Sequence, residues 1–487
     1  MPILTKSKYV DGLKCLKYLW LQYNNPSAIP APDEYALFVI NEGHKVGEFA
    51  KTLYPDGIAV STESNDENIR KTQQLLKLRK PLFEAGISID NCYARTDILL
   101  PVEKDEWDIV EVKSSSRVKE DEHIPDVAFQ KYVYSKAGLK IRKCIIMHVD
   151  SKYERNGNID AEALFVREDV TEKVGKVIKE VPKNIRRFFT VIKSKKCPEI
   201  DIGNYCADEF GVHENDAFWK KHPDCNILQL YHSKDKEELF NKGILRIKDI
   251  PSSYRLDAKQ LIQKKCDENN SIHINKKEIS NFLSNLQYPL HFLDFETYNT
   301  AIPLYDKLKP WEKVAFQYSL HIVKDENAKP LHYSFLAKNN SDPRKDFIES
   351  LEKKIMKKGS IVVWNAVFEK SILKSIAEHM PEYAVSVNEI IGRIEDLMIP
   401  FKDFSYYNPK QKGSNSLKTI FPLLTGRSYQ GLNISEGGIA SARYYKAVHE
   451  SIKESEKEKI FDDLEKYCSL DTEAMIFVLD KLNEIAK

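Results

Sequence analysis

At 487 residues the chain is long enough for two or three domains, and 42% hydrophobic with 30% charged residues is the make-up of a water-exposed globular protein. No run of about 18 apolar residues is present to span a bilayer, and the opening Met-Pro-Ile-Leu-Thr-Lys-Ser-Lys lacks the apolar centre of a secretory signal, so a cytoplasmic location without a membrane partner is expected. Seventy-four Lys and Arg against 73 Asp and Glu leave a net charge of +1, which excludes a bulk basic field; nucleic acid would have to meet local basic surface beside acidic sites.

Thr5 and Ser7 are candidate caps for a helix over 5–23, with Tyr9, Leu13, Leu16, Leu19 and Trp20 at helical spacing and Cys15 on it. A Pro/Ala linker at 26–32 leads to a second helix, about 33–52, that carries His44. A lone helical histidine is ordinarily a surface or core residue. A polar helix over 65–80 precedes a β-meander that opens at Leu82–Ile89. Its next strand, Tyr93-Ala-Arg-Thr-Asp97-Ile-Leu-Leu, is an apolar run interrupted by one acid.

The following stretch, Trp107-Asp-Ile-Val-Glu111-Val-Lys113-Ser-Ser-Ser, puts Ile109, Glu111 and Lys113 on one strand face and Val110 and Val112 on the other. Buried charges need partners, so that face either pairs its charges or holds an ion. Pairing through the 101–106 turn would bring Asp97 and Glu111 together. Two carboxylates suit a hard divalent cation such as magnesium, and Lys113 suits a water or phosphate oxygen. An edge-strand charge pair is the plainer account of acid-x-Lys taken alone. His123-Ile-Pro-Asp-Val-Ala-Phe-Gln130-Lys-Tyr-Val-Tyr134 then opens a helix with Gln130 and Tyr134 on one face, and Lys140–Asp150 is a further strand.

The ordered set of helical His44, Asp97, Glu111-x-Lys113 and Gln130-x3-Tyr134 resembles the RecB-like branch of the PD-(D/E)xK nucleases. The opening Leu4-Thr-Lys-Ser-Lys-Tyr, with Cys15 and Leu19-Trp20, is similar to that branch, including its CRISPR-associated relatives. The likeness covers about residues 1–230. It implies a restriction-endonuclease-like domain in which His44, Asp97 and Glu111 hold magnesium or manganese, Lys113 is the catalytic lysine, and Gln130 and Tyr134 position DNA. Many members carry a four-cysteine iron–sulfur cluster. Cys15 matches the first ligand and Cys206 and Cys225 fall in the right region, but the tight spacing of the last three is missing, so a cluster is not favoured.

The basic run over 170–196 is helical and ordinarily a solvated face. Residues 231–287 read as a helical connector, whose Asn241-Lys-Gly-Ile-Leu-Arg-Ile-Lys-Asp-Ile-Pro251 resembles the hairpin of helix-hairpin-helix modules.

At Pro289-Leu-His-Phe-Leu-Asp294-Phe-Glu296-Thr-Tyr the pattern turns β again, with both acids on one face. Strands near 314–323 and 331–337 and a helix near 343–357 follow. Ser360-Ile-Val-Val-Trp-Asn365-Ala-Val-Phe-Glu369 runs from a buried strand into a helix, and a long terminal helix sets Tyr467 and Asp471 four apart on one face. Four carboxylates brought together would suit two metals, with Tyr467 orienting the attacking water. This resembles the DEDD exonucleases of the DnaQ-like, ribonuclease H fold, in their Tyr-x3-Asp subtype, over about 288–487. The resemblance implies Asp294, Glu296, Glu369 and Asp471 as metal ligands and Asn365 beside the nucleic acid. Glu369 stands where that family has aspartate, and the added methylene moves the carboxylate by about 1.5 Å. Asp396 reads as a supporting acid, and Ser414-Asn-Ser-Leu-Lys418 as the start of a helix at the groove.

The expectation is therefore an α/β (α+β) chain: a restriction-endonuclease-like domain, a connector and a ribonuclease H-like domain. The implied function is a metal-dependent DNA nuclease with a RecB-like centre and a 3′–5′ exonuclease centre. It would act on single-stranded or duplex ends in foreign-DNA degradation, CRISPR-type processing or repair, with a helicase or defence-system partner. The alternatives are an RNA-directed exonuclease, or a binding partner whose C-terminal site has lost turnover.

Overall fold

Apolar β-forming runs on either side of Asp97 and Glu111 build the larger sheet. Its strands are β1 (Leu4–Thr5), β2 (Ile58–Ala59), β3 (Leu82–Ile89), β4 (Cys92–Pro101), β5 (Glu106–Lys113), β6 (Lys140–Val149) and β7 (Phe165–Asp169). Their order is β2-β3-β4-β5-β6-β7, with β1 paired in parallel to β4. The β3–β4–β5 meander is antiparallel, β5 and β6 are parallel across the helix Glu120–Lys136, and β7 returns antiparallel to β6. The crossover helix buries its own Phe129 and Val133 in one cluster with Tyr9 and Phe188, as a parallel connection across a helix allows.

The computed structural model describes residues 2–60, 63–103, 105–198 and 225–487. They fall into one unit of Met1–Ala217 with Thr300–Glu312, and a second of Phe218–Asn299 with Lys313–Lys487. The single helix expected over 5–23 is two, Lys6–Lys14 and Leu16–Asn24, broken where Cys15 is extended at φ −152° and ψ 110°. The break lets Gly12 lie flat against Leu19 and Phe188; a Cβ there would stand 2.9 Å from the leucine methyl.

Residues Thr300–Glu312 interrupt the second half in sequence yet form part of the first unit. Ala301 N–H donates to the buried Glu42 carboxylate at 2.8 Å, the Trp311 indole donates to Ser114 O at 2.5 Å, and Arg155 donates to Pro303 O at 2.9 Å. Ala301, Ile302 and Trp311 pack with Val46, Phe83, Ile98 and Val110. Apolar burial, rather than chain order, decides which sheet this segment belongs to.

The second unit holds a mixed five-stranded sheet of β9 (Leu290–Tyr298), β10 (Val314–Val323), β11 (Leu331–Leu336), β12 (Ile361–Val363) and β13 (Ile394–Asp396), ordered β11-β10-β9-β12-β13. The first three are antiparallel, and β12 and β13 run parallel to β9. The 33-residue helix Glu454–Ala486 packs along the sheet through Leu464, Ala474, Met475 and Val478. The connector is not wholly helical: β8 (His273–Ile274) pairs antiparallel with β14 (Tyr406–Tyr407). In its hairpin, Gly243 turns the chain at φ +80°, but only a three-residue turn, Ile247–Asp249, follows the helix Lys236–Asn241. The fold is mixed α/β throughout, and no helix among the described residues is long and apolar enough to cross a membrane.

Candidate metal centres

The first centre grows from the β4–β5 register. Asp97 and Glu111 flank the pair Ile98↔Val110, and Asp97 Oδ2 accepts from Val112 N–H at 2.7 Å. Glu111 is 2% exposed. Its Oε1 accepts from Lys6 at 2.6 Å and Lys113 at 3.0 Å, and its Oε2 from Gln130 at 2.8 Å. Lys113 also donates to Asp126 Oδ2 at 2.7 Å, and Gln130 to Asp126 Oδ1 at 2.9 Å. Lys6 lies 3.8 Å from Asp97 Oδ1. Three acids, two lysines and a glutamine thus form one buried network.

Its electrostatics follow from that packing. Burial, with Asp126 and Asp97 nearby, pushes the Glu111 carboxyl up to about 7. Burial also opposes ionisation of Asp126, but Lys113 and Lys6 outweigh it and hold that carboxyl below its usual range. Both lysines stay above theirs because the acids overcome the penalty of burial.

Of the residues assigned to DNA positioning, Gln130 sits inside this network and Tyr134 outside it. Gln130 is fully buried on the two acids, and its Oε1 finds no donor. Tyr134 is fully buried, donates to Ala85 O and accepts from Thr96 N–H at 3.1 Å, so its hydroxyl ties the crossover helix to β3 and β4. His44 is exposed on the helix Glu34–Lys51 and makes no hydrogen bond to the acids; the buried acid of that helix is Glu42. Cys15 caps the helix Leu16–Asn24 by accepting from Tyr18 N–H at 3.2 Å. Cys225 lies half-buried 4.0 Å from Pro409 O, and Cys206 lies outside the described residues.

The second centre uses strand alternation, which presents Asp294 and Glu296 on one face of β9, opposite Ser319 and Gln317 of β10. The terminal helix brings Tyr467, Cys468 and Asp471 to the same place. Ligand atoms of Asp294, Glu296 and Cys468 lie within 4.8 Å of one another. Asp471 Oδ1 accepts from Tyr429 at 2.5 Å, and Tyr467 OH accepts from Lys418 at 2.8 Å. An open cleft of about 490 Å³ is lined by Asp294, Glu296, Trp364, Asn365, Lys418, Tyr467 and Asp471.

Unlike the first centre, none of Asp294, Glu296 and Asp471 forms an ion pair with a lysine, arginine or histidine among the described residues. Burial raises all three carboxyls; Asp471 and Glu296 add to the rise at Asp294, and Asp471 to that at Glu296. Lys418 offsets part of the rise at Glu296 and Asp471 without forming an ion pair with either; clustered carboxyls short of positive charge are what a hard cation resolves, so the donor set fits magnesium or manganese.

Glu369 lies in the first turn of the helix Ala366–His379, close enough to raise Asp294 further. Burial pushes its own carboxyl up to about 8, and its Oε2 has no hydrogen-bond partner. Asp396 accepts from Ala366 N–H at 3.3 Å and Met398 N–H at 3.0 Å, so it caps the helix that carries Glu369. Asn365 is exposed at that helix's start.

Sequence reasoning gave no role to Lys6, Asp126 and Tyr429, and placed Lys418 only on a helix bordering the groove. Asp126 was within reach, since it stands four residues before Gln130 on one helix. The other three carry no local periodicity that marks them.

A family model described as a domain of unknown function (DUF2779) matches residues 291–416. That span holds Asp294, Glu296, Glu369 and Asp396 and ends before Lys418, Tyr467 and Asp471. The uncharacterized protein MG366 of Mycoplasma genitalium is 23% identical over 411 residues, covering 73% of this chain and 61% of its own length. An uncharacterized protein of Ureaplasma parvum, UU173, is 27% identical over 245 residues, 45% of this chain and 35% of its own. The MG366 homolog of Mycoplasma pneumoniae is 21% identical over 428 residues, 75% of this chain and 64% of its own. The chain therefore spans less than two thirds of each of these relatives, and it is similar to proteins that themselves carry no assigned activity.

Proposed function

We propose that the protein is a metal-dependent phosphodiester hydrolase that acts on DNA ends, with one centre in each unit. The observation that carries this reading is the cluster of Asp294, Glu296 and Asp471, none of them ion-paired among the described residues, at an open cleft beside Tyr467. The strand order β11-β10-β9-β12-β13, with the acids on the central strand, supports a ribonuclease H-like arrangement. The meander and parallel crossover around Glu111 support a restriction-endonuclease-like one.

In the C-terminal centre Asp294, Glu296, Asp471 and Glu369 would hold the cations. Bound there, cations supply an activated water and stabilise the leaving 3′ oxygen. Tyr467, held by Lys418, orients the water, and Asn365 and Trp364 border the strand that enters the cleft. In the N-terminal centre Asp97 and Glu111 would take the cation and Lys113 faces the reacting phosphate. His44 joins that set through the family resemblance alone.

Glu369 favours a second reading. A buried acid whose Oε2 has no partner, where the family has aspartate, suits a site that grips 3′ ends without turnover. The deciding experiment incubates labelled single- and double-stranded DNA and RNA with the protein in magnesium, manganese or EDTA, alongside Lys113→Ala and Asp294→Ala. Cation-dependent cutting of DNA, reduced separately by each variant, is expected. Binding without cutting in the wild type would reject the hydrolase and leave the gripping module. Cutting confined to RNA would transfer the reading to the other polymer.

A further inference from the structure

We infer that Lys6 is the resident counter-cation of the N-terminal centre, and that a divalent cation enters only by displacing it. The inference rests on the reading of Asp97 and Glu111 as cation ligands. The Lys6 ammonium stands between those two acids, 2.6 Å from Glu111 Oε1 and 3.8 Å from Asp97 Oδ1. It is delivered there by structure: β1 pairs with β4 at Leu4↔Cys92 and Thr5↔Tyr93, and Lys6 is the first residue of the helix that follows.

The contrast between the two centres makes the role specific. Asp294, Glu296 and Asp471 face no lysine in ion-pair range and leave room for a cation. In the first centre Lys113 already serves Glu111 and Asp126, so Lys6 brings an additional charge. Among the described residues, Asp294, Glu296 and Cys468 are the only three such groups whose ligand atoms lie within 4.8 Å of one another. Asp97, Glu111 and Asp126 form no such close group; their oxygens are instead spread around the two lysine ammonium groups.

Charge balance then dictates exclusion. Three carboxylates, Lys113 and one dication neutralise one another. Keeping Lys6 as well would leave an excess positive charge in a buried site, where unpaired charge is strongly disfavoured. The four-carbon stem of a lysine lets the ammonium swing aside while the backbone stays in place. A second sign that the lysine-filled network is incomplete is Gln130 Oε1. It is fully buried, its amide partner nitrogen lies on Glu111 and Asp126, and no donor reaches it.

The test uses the full chain in an Asp294→Ala background, which removes the other acid cluster, and measures Mn2+ binding by the loss of the free-ion electron paramagnetic resonance signal. Lys6→Met is expected to bind Mn2+ about tenfold more tightly or better than the parent, Lys6→Arg no more tightly, and Asp97→Asn weakly. Unchanged or weaker binding in Lys6→Met overturns the inference. Thermal melting covers the case in which the methionine variant folds poorly: its midpoint in EDTA falls below the parent's, and Mn2+ raises it by more than it raises the parent. An equal or smaller rise overturns the inference as well. DNA cleavage is followed in samples with Asp294 intact. Tightened binding without cleavage leaves the Lys6 assignment standing and removes the nuclease reading. Cleavage with unchanged affinity does the reverse.

Discussion

The Lys418 ammonium donates to the hydroxyl of Tyr467 at 2.8 Å and stands 4.9 Å from that ring's centroid. One lysine thus fixes both the direction and the plane of the tyrosine that faces the acid cluster. On the proposed chemistry, Lys418→Met removes the hydrogen bond that aims the Tyr467 hydroxyl and lowers kcat at this centre by about 10- to 100-fold, with a smaller effect on KM. Steady-state cleavage of a single-stranded end in a Lys113→Ala background measures it. A rate equal to the parent's would show that Tyr467 needs no such holder.

Asp294 lies half-buried beside Glu296, Glu369 and Asp471 without an ion-pair partner among the described residues, so its charge weakens the apo fold. Asp294→Asn is expected to stabilise the second unit in EDTA by about 1–3 kcal/mol while erasing any rise of Tm on adding magnesium. Differential scanning calorimetry with and without the cation reads both effects. A drop in the EDTA midpoint would mean that Asp294 is compensated after all.

Glu369 gives the pH dependence its sign. Its folded pKa of about 8 lies above the ordinary glutamate value of 4.5, and Asp471, at about 6, lies above the ordinary aspartate value of 3.8. Groups raised on folding contribute stability that is full below the unfolded value and is lost as pH rises through the folded one. In EDTA the second unit should therefore lose stability between about pH 4 and pH 8. Glu369→Gln should flatten the upper part of that decline, and saturating magnesium the lower part. Denaturant midpoints at stepped pH test this; a parent whose stability rises across the window contradicts it.

Trp311 donates to Ser114 O, one residue beyond Lys113, from a segment that belongs in sequence to the other half of the chain. Trp311→Phe keeps the ring's bulk and removes the donor, leaving a carbonyl short of a partner. A loss of about 1–2 kcal/mol in the first unit is expected, together with weaker cation binding at Glu111 and unchanged cation binding at Asp294. Native-state hydrogen exchange at β5 and in the terminal helix separates the two units. Faster exchange in both would show a global effect instead.

Strand alternation made Glu111, Lys113, Asp294 and Glu296 legible, because a period of two leaves charged residues conspicuous on an apolar face. The i,i+4 rule did the same for Tyr467 and Asp471. Lys6 was not legible, since it meets Glu111 across 105 residues and nothing local marks it. Tyr429 and Lys418 likewise reach the acids only through tertiary packing. The break at Cys15 escaped the helical pattern because both halves keep helical spacing; the close approach of Gly12 to Phe188 decides it. The connector's pairing of β8 with β14 joins residues more than a hundred positions apart, beyond any windowed pattern.

Residues 300–312 leave one sheet and fill the core of another before the chain returns. Severing the polypeptide at the apparent seam near 288 would strip Ala301, Ile302 and Trp311 from the half that houses them, and leave them bare on the half that encodes them. Recombination at that point yields two damaged products instead of two modules. Each acid-bearing sheet is therefore expected to keep its full core only while both stay on one continuous chain.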